Sequence, residues 1–190
     1  NTGLGYFAPV LCCISHRLRN YLAWSSQGCF MRFDLSSGHR VNDITLGMSQ
    51  IVVRRMLRAM FHQPPLNTNF KLANPQIIRD DCASITITYS DSLLVEIIRL
   101  QYSDNEIFYF DSDEIRLKSK DDLKLFLANK GFQSKRIDGK NVYDEIGFAY
   151  SSYRSSKIDF FYIFPKGQFK RIFAEHKNKM DNYSMHILKK

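Results

Sequence analysis

Residues 44–60 read Ile-Thr-Leu-Gly-Met-Ser-Gln-Ile-Val-Val-Arg-Arg-Met-Leu-Arg-Ala-Met, and residues 115–127 read Ile-Arg-Leu-Lys-Ser-Lys-Asp-Asp-Leu-Lys-Leu-Phe-Leu. Both passages run from a short apolar alternation through a serine into apolar residues at helical spacing. Ser49 and Ser119 suit the position just before a helix, where a hydroxyl satisfies an otherwise orphaned backbone N–H. Asp122, three residues after Ser119, completes a capping-box pattern. Val53, Met56 and Leu57 stand at the same offsets from Ser49 that Leu123, Phe126 and Leu127 hold from Ser119. Each set forms a stripe that a helix would bury. Met60 extends the first stripe, and Arg54, Arg55 and Arg58 fall opposite it as a solvated face. Pro64-Pro65 stops the first helix, and Gly131 suits the residue just past the end of the second.

Strand signals follow each helix. After a loop from Asn67 to Asp81, Ile85–Tyr89 alternates as a half-buried strand should. Ser90-Asp91-Ser92 turns into a longer strand from Leu93 to Tyr102, and Asp104-Asn105 turns into Ile107–Phe110. Behind the second helix come Phe132–Ile137, a turn at Asp138-Gly139, Glu145–Tyr150, a turn around Tyr153–Ser156 and Lys157–Phe164. Pro165-Lys166-Gly167 then leads into Gln168–Phe173. Runs of strand after each helix predict an α+β fold with antiparallel pairing rather than alternating βαβ units. The pattern is a tandem repeat, about 38–110 and 111–173, with helices on one face of an antiparallel sheet. The polar tail from Ala174 to Lys190 reads as solvated.

The chain has 190 residues, 44% hydrophobic and 24% charged, which is globular composition. No apolar run reaches the roughly 18–20 residues that span a bilayer as a helix. The net charge of +8 is distributed unevenly. Residues 49–79 carry five bases and no acid, residues 80–122 carry eleven acids against four bases, and residues 123–190 carry fourteen bases against six acids. A basic surface that meets nucleic acid would have to keep the acidic block away from phosphates.

Cys12, Cys13, Cys29 and the single tryptophan, Trp24, fall within residues 1–30, which contain no acid. Cys13, His16 and Cys29 suggest part of a zinc site but lack a fourth ligand at a known spacing. Residues 4–14 resemble the apolar core of an export signal without its basic start or small-residue end. An anchored Cys12 would make the chain an envelope lipoprotein. Residues 1–30 are read as an extension, with a single α+β domain over 31–190. The alternative is an ordinary first helix around His16–Trp24.

The run from Gly38 to Leu57 resembles the opening of small bacterial proteins of the β-lactamase-inhibitor-protein-like class. That class includes the small lipoprotein of the outer-membrane assembly machine. The likeness extends through Asp122-Leu123 and Gly131-Phe132 to Ile146-Gly147-Phe148-Ala149-Tyr150, and covers about residues 38–173. Arg58 stands where such proteins carry a glycine, and Met60 where they carry a proline, so the first helix is expected to run a turn longer. The resemblance implies a binder or inhibitor, often an immunity protein encoded beside a secreted toxin.

No enzyme constellation emerges: there is no phosphate-cradling glycine loop, no Cys-x-x-Cys and no His-Glu-x-x-His. His39 beside Asp43 suggests a base and its orienter, in a polar segment that favours exposure. Asp111, Asp113 and Glu114 lack the glycine and terminal glutamate of a calcium loop. The reading is a non-enzymatic protein with no catalytic residue, metal or cofactor. Its partner-binding residues are Asp104, Glu106, Asp111, Asp113 and Glu114 in acidic turns, with Tyr89, Tyr102, Tyr109 and Tyr162 as aromatic anchors on an exposed sheet face. The expected partner is a toxin, and the expected compartment the cytoplasm, or the periplasm if the first residues are a processed signal. The runner-up is a nucleic-acid-binding module built on Arg54, Arg55, Arg58 and the Lys166–Lys179 region.

Overall fold

The computed structural model describes residues 22–25, 28–36, 38–61, 66–70, 77–103, 106–115, 119–152, 157–175 and 177–178. Strands β1 (Leu22–Ser25), β2 (Gly28–Ser36), β3 (Arg40–Val41) and β4 (Ile44–Thr45) lead into helix α1 (Gln50–Phe61). Four strands follow: β5 (Leu66–Phe70), β6 (Ile77–Cys82), β7 (Ile85–Tyr89) and β8 (Val95–Gln101). β9 (Glu106–Phe110) and β10 (Asp113–Ile115) precede α2 (Lys120–Asn129). Then come β11 (Lys135–Ile137), β12 (Lys140–Tyr143), β13 (Phe148–Ser151) and β14 (Phe160–Ile163), and a helix α3 over residues 169–175.

These strands form two sheets, so the fold is α+β. The larger has eight strands in the order β11-β12-β13-β14-β8-β7-β6-β5, all antiparallel. The smaller runs β10-β9-β2-β3-β4, with β1 also on β2. Its β2–β9 pair is parallel, with Phe33 opposite Phe108. The boundary expected at residue 30 therefore falls inside β2, a strand that pairs with β1, β3 and β9.

Alternation along the strands sorts the larger sheet into two faces. Ile85, Ile87, Tyr89, Phe161 and Ile163 belong to the main buried cluster, together with Val53 and Leu57 of α1, Leu123 and Leu127 of α2, and Phe33, Val41, Phe108 and Phe110 of the smaller sheet. Met56, Met60 and Phe126 pack against it, so both expected stripes supply core. A second cluster holds Ala149, Tyr162 and Phe164 with Phe169 and Ile172 of α3. Phe173 joins them, stacked on Phe169 with ring centroids 4.1 Å apart.

Several expectations are corrected. The presumed loop Asn67–Asp81 holds β5 and β6. Gln168–Phe173, read as a strand, begins a helix: Phe169, Ile172 and Phe173 have the i, i+3, i+4 spacing of a helical face. This helix joins the second cluster, so the expectation of helices confined to one sheet face does not extend to it. Glu145–Tyr150 divides into a 3-10 turn (Asp144–Ile146) and β13, and Phe132–Ile137 shortens to β11.

The local signals at the second helix took effect. The Ser119 hydroxyl accepts from the Asp122 N–H at 3.2 Å while the Asp122 carboxylate accepts from the Ser119 N–H at 2.8 Å. At the other end the Gly131 N–H donates to the Ala128 carbonyl and the Phe132 N–H to that of Leu127, a Schellman closure. Asp138 and Gly139 both have positive φ, at 47° and 76°, as a two-residue hairpin turn matched to strand twist requires. Gly147, at φ 63°, marks a close approach: a Cβ there would strike the Phe164 carbonyl and come within 2.6 Å of the Gly38 Cα.

Candidate functional site

The acidic turn is a hairpin between β9 and β10, whose register sets Phe110 opposite Asp113 and Tyr109 opposite Glu114. Its tip residues Asp111 and Ser112 have φ of 48° and 77°, and the Asp111 N–H donates to the Leu35 carbonyl of β2. Asp111, Ser112, Asp113 and Glu114 are all exposed, while Phe108, Phe110 and Ile115 anchor the same hairpin in the core. Short side chains on a pinned, twisted turn lose little freedom on meeting a partner.

Tyr109 lies across this surface, with the Arg32 guanidinium 4.0 Å above its ring and its hydroxyl donating to Glu114 Oε2 at 3.5 Å. Arg32 also bridges Asp34 at 3.1 Å, and Lys130, just past α2, pairs with Asp113. The three acids thus spread apart, Asp113 towards a lysine and Glu114 towards a phenol, and do not converge on a common point. Among the described residues no group of three or more His, Cys, Asp or Glu could hold a metal ion.

The hairpin gathers Tyr109, Asp111, Asp113 and Glu114, but the other proposed residues do not join them. Asp104 lies outside the described residues, and Glu106 is described only as the first residue of β9. Tyr102 is half-buried, stacked on Phe108 at 5.3 Å and edge-on to Phe161. Two tyrosines require correction as surface anchors. Tyr89 is 1% exposed and donates its hydroxyl to Asp80 Oδ2 at 2.9 Å inside the core. Tyr162 is 7% exposed, edge-on to Phe173 at 5.9 Å. His39 and Asp43 are both exposed.

Asp80, itself 0% exposed, accepts two hydrogen bonds from Arg54 of α1, at 2.8 and 2.7 Å, as well as that of Tyr89. The Asp80 hydrogen bond raises the Arg54 pKa above its ordinary value. Burial, with the Asp80 charge second, raises that of Tyr89, and burial raises that of Cys82. The fork is a structural clamp between helix and sheet, and it removes Arg54 from any basic surface offered to nucleic acid.

A second exposed surface escaped the sequence reading. Ile51 is 66% exposed, and Val52, Leu93 and Leu94 are exposed beside it in sequence or through backbone pairing. The Gln50 N–H donates to the Leu93 carbonyl at 2.9 Å, and Ser49 bridges Leu94. Leu93 sits at φ 61°, costly for a residue with a bulky side chain. The only sequence signal was Ile51-Val52 falling off the buried stripe. No helix among the described residues is long and apolar enough to cross a membrane. Compared with protein-family models, curated proteins and solved structures, the chain matches none of them.

Proposed function

We propose that this chain is a non-enzymatic inhibitor of the immunity type, which neutralises a bacterial toxin by direct binding. The observation that carries the reading is the β9–β10 hairpin, an acidic tip fixed by the core beneath it. Such a tip steers a positively charged cleft towards itself and keeps its shape on contact. The apolar surface around Ile51 and Leu94 offers area that a protein partner could desolvate.

The tandem-repeat architecture is part of the same proposal. Helix α1 is followed by the meander β5-β6-β7-β8 and helix α2 by the meander β11-β12-β13-β14. The sheet order sets the last strands of the two meanders side by side and their first strands at opposite edges, the arrangement a duplicated unit would produce.

The test is the affinity of the toxin encoded beside this gene for the wild-type chain and for an Asp111→Lys/Asp113→Lys variant, at two salt concentrations. The expected result is a loss of about tenfold or more in the variant, larger at low salt. Unchanged affinity removes the hairpin from the interface. A gene neighbourhood encoding no secreted toxin counts against the immunity reading itself.

A further inference from the structure

Where α2 crosses the β11-β12-β13 edge of the larger sheet, the surface opens into a cavity of about 180 Å³. Its chemistry belongs neither to the acidic hairpin nor to the apolar core. Arg136 stands opposite Asn141 on the neighbouring strand, and Asn141 opposite Tyr150 on the next, so the three form one cross-strand row lining the cavity. Lys120 and Lys124 line it from one face of α2, four residues apart. Asp121 is the single carboxylate in the lining.

Three cations against one carboxylate leave the cavity at net +2. No ion pair joins any of the three cations to a carboxylate among the described residues. The Tyr150 side chain is 1% exposed, and its hydroxyl donates to the Lys120 carbonyl at 3.5 Å and also interacts with the Tyr143 hydroxyl. Burial raises the phenol's pKa, so it adds no negative charge to the cavity. The site is therefore rich in donors, with a fork in Arg136 that suits the oxygens of a tetrahedral oxyanion. Its volume falls below the roughly 300–1,000 Å³ of sites for drug-sized molecules, so it admits one compact anionic group and little else.

We propose that this cavity binds a small dianion of the phosphate type, either free phosphate or the phosphate of a small phosphomonoester, through Arg136, Lys120 and Lys124, with Asn141 as a neutral donor. The charge of such a ligand balances the lining, and these four side chains hold it. Asp121 sets the affinity from the opposite direction by repelling the ligand.

The experiment is a titration of the full-length chain with sodium phosphate, and separately with glycerol 3-phosphate, at ionic strength held constant with chloride. Binding is read by thermal shift and by phosphorus NMR. The same titrations are run on Arg136→Gln, Lys124→Gln and Asp121→Asn, three substitutions at exposed positions, with the melting curve of each unliganded variant as the folding control. Expected are saturable binding to the wild type, about fivefold or greater weakening in Arg136→Gln and Lys124→Gln, and tightening in Asp121→Asn. Tighter binding of glycerol 3-phosphate than of phosphate identifies a phosphomonoester as the ligand, and the reverse identifies the free ion. A signal that chloride reproduces, or equal affinity in all four proteins, overturns the proposal.

Discussion

Asp80 sits in the middle of β6 with no solvent contact, held by two bonds from Arg54 and one from Tyr89. Removing one partner of a buried pair is far more damaging than the net worth of the pair suggests, because the remaining charge has no water to return to. Arg54→Met should therefore destabilise the chain by about 3–5 kcal/mol in denaturant unfolding. An effect under about 1 kcal/mol, the range of exposed ion pairs, would mean that water enters to solvate the carboxylate. The same residue explains a misreading. An aspartate pair in Arg79-Asp80-Asp81-Cys82 looks like a loop because strands rarely bury a lone acid, and the arginine that makes it tolerable lies 26 positions earlier. Charge in a strand interior is legible only when its partner is known.

At the scale of elements, α2 was the most legible part of the chain because its determinants are local. Ser119, Asp122 and Gly131 each act within a few residues of their own position, and the hydrogen bonds they form match the pattern in the sequence. Ser119→Ala should cost about 1 kcal/mol, read as a shift in denaturation midpoint with an unchanged slope. The strand β7 was also legible, its bounds Ile85–Tyr89 following directly from alternation. Helix α3 was not, although the spacing of Phe169, Ile172 and Phe173 was present throughout. Its start is set from a distance: the Phe169 N–H donates to the Asp144 carboxylate at 3.0 Å and the Gly167 N–H to the Asp144 carbonyl at 2.8 Å. A cap supplied 25 residues away leaves no local signature. The parallel β2–β9 pair was hidden for the same reason, since it joins strands more than seventy residues apart. Of the candidate site, the acids of the hairpin were legible as a turn, whereas the burial of Tyr89 and Tyr162 depended on which sheet face each neighbouring element covers.

At the scale of the whole molecule, the uneven charge is less extreme than the sequence blocks imply. Asp80 is satisfied by Arg54, Asp81 by Arg79, Asp113 by Lys130 and Glu96 by Arg171. Acids of the central block thus meet bases from both flanking regions and from their own border. Stability at high pH is set by a different group of residues. Burial raises the pKa values of Tyr89 and Tyr150 above the unfolded value of 10, so the stability they contribute is fully present below pH 10 and is lost as pH rises beyond it. Lys140 works in the opposite sense: burial lowers its folded pKa below 10.5, so its desolvation cost is relieved as pH rises towards that value. Two strongly shifted tyrosines outweigh one lysine, so stability should fall steeply above about pH 10. Comparing wild type with Tyr89→Phe by chemical unfolding from pH 8 to 11 checks this. The variant should start less stable and lose less with pH, and parallel curves would show that Tyr89 does not govern the fall.

The join between β8 and β14, where Gln101 meets Phe160 and Ile98 meets Ile163, bears on how the chain reaches this form. Each meander is built from neighbouring strands and can zip up by successive hairpins, but this join needs two distant stretches to meet, and closing so long a loop is entropically slow. Until it closes, both meanders present a bare inner edge with unpaired backbone groups. The same edge in another molecule would fit equally well, so the slow interval before β8 pairs with β14 is when two nascent chains could exchange halves.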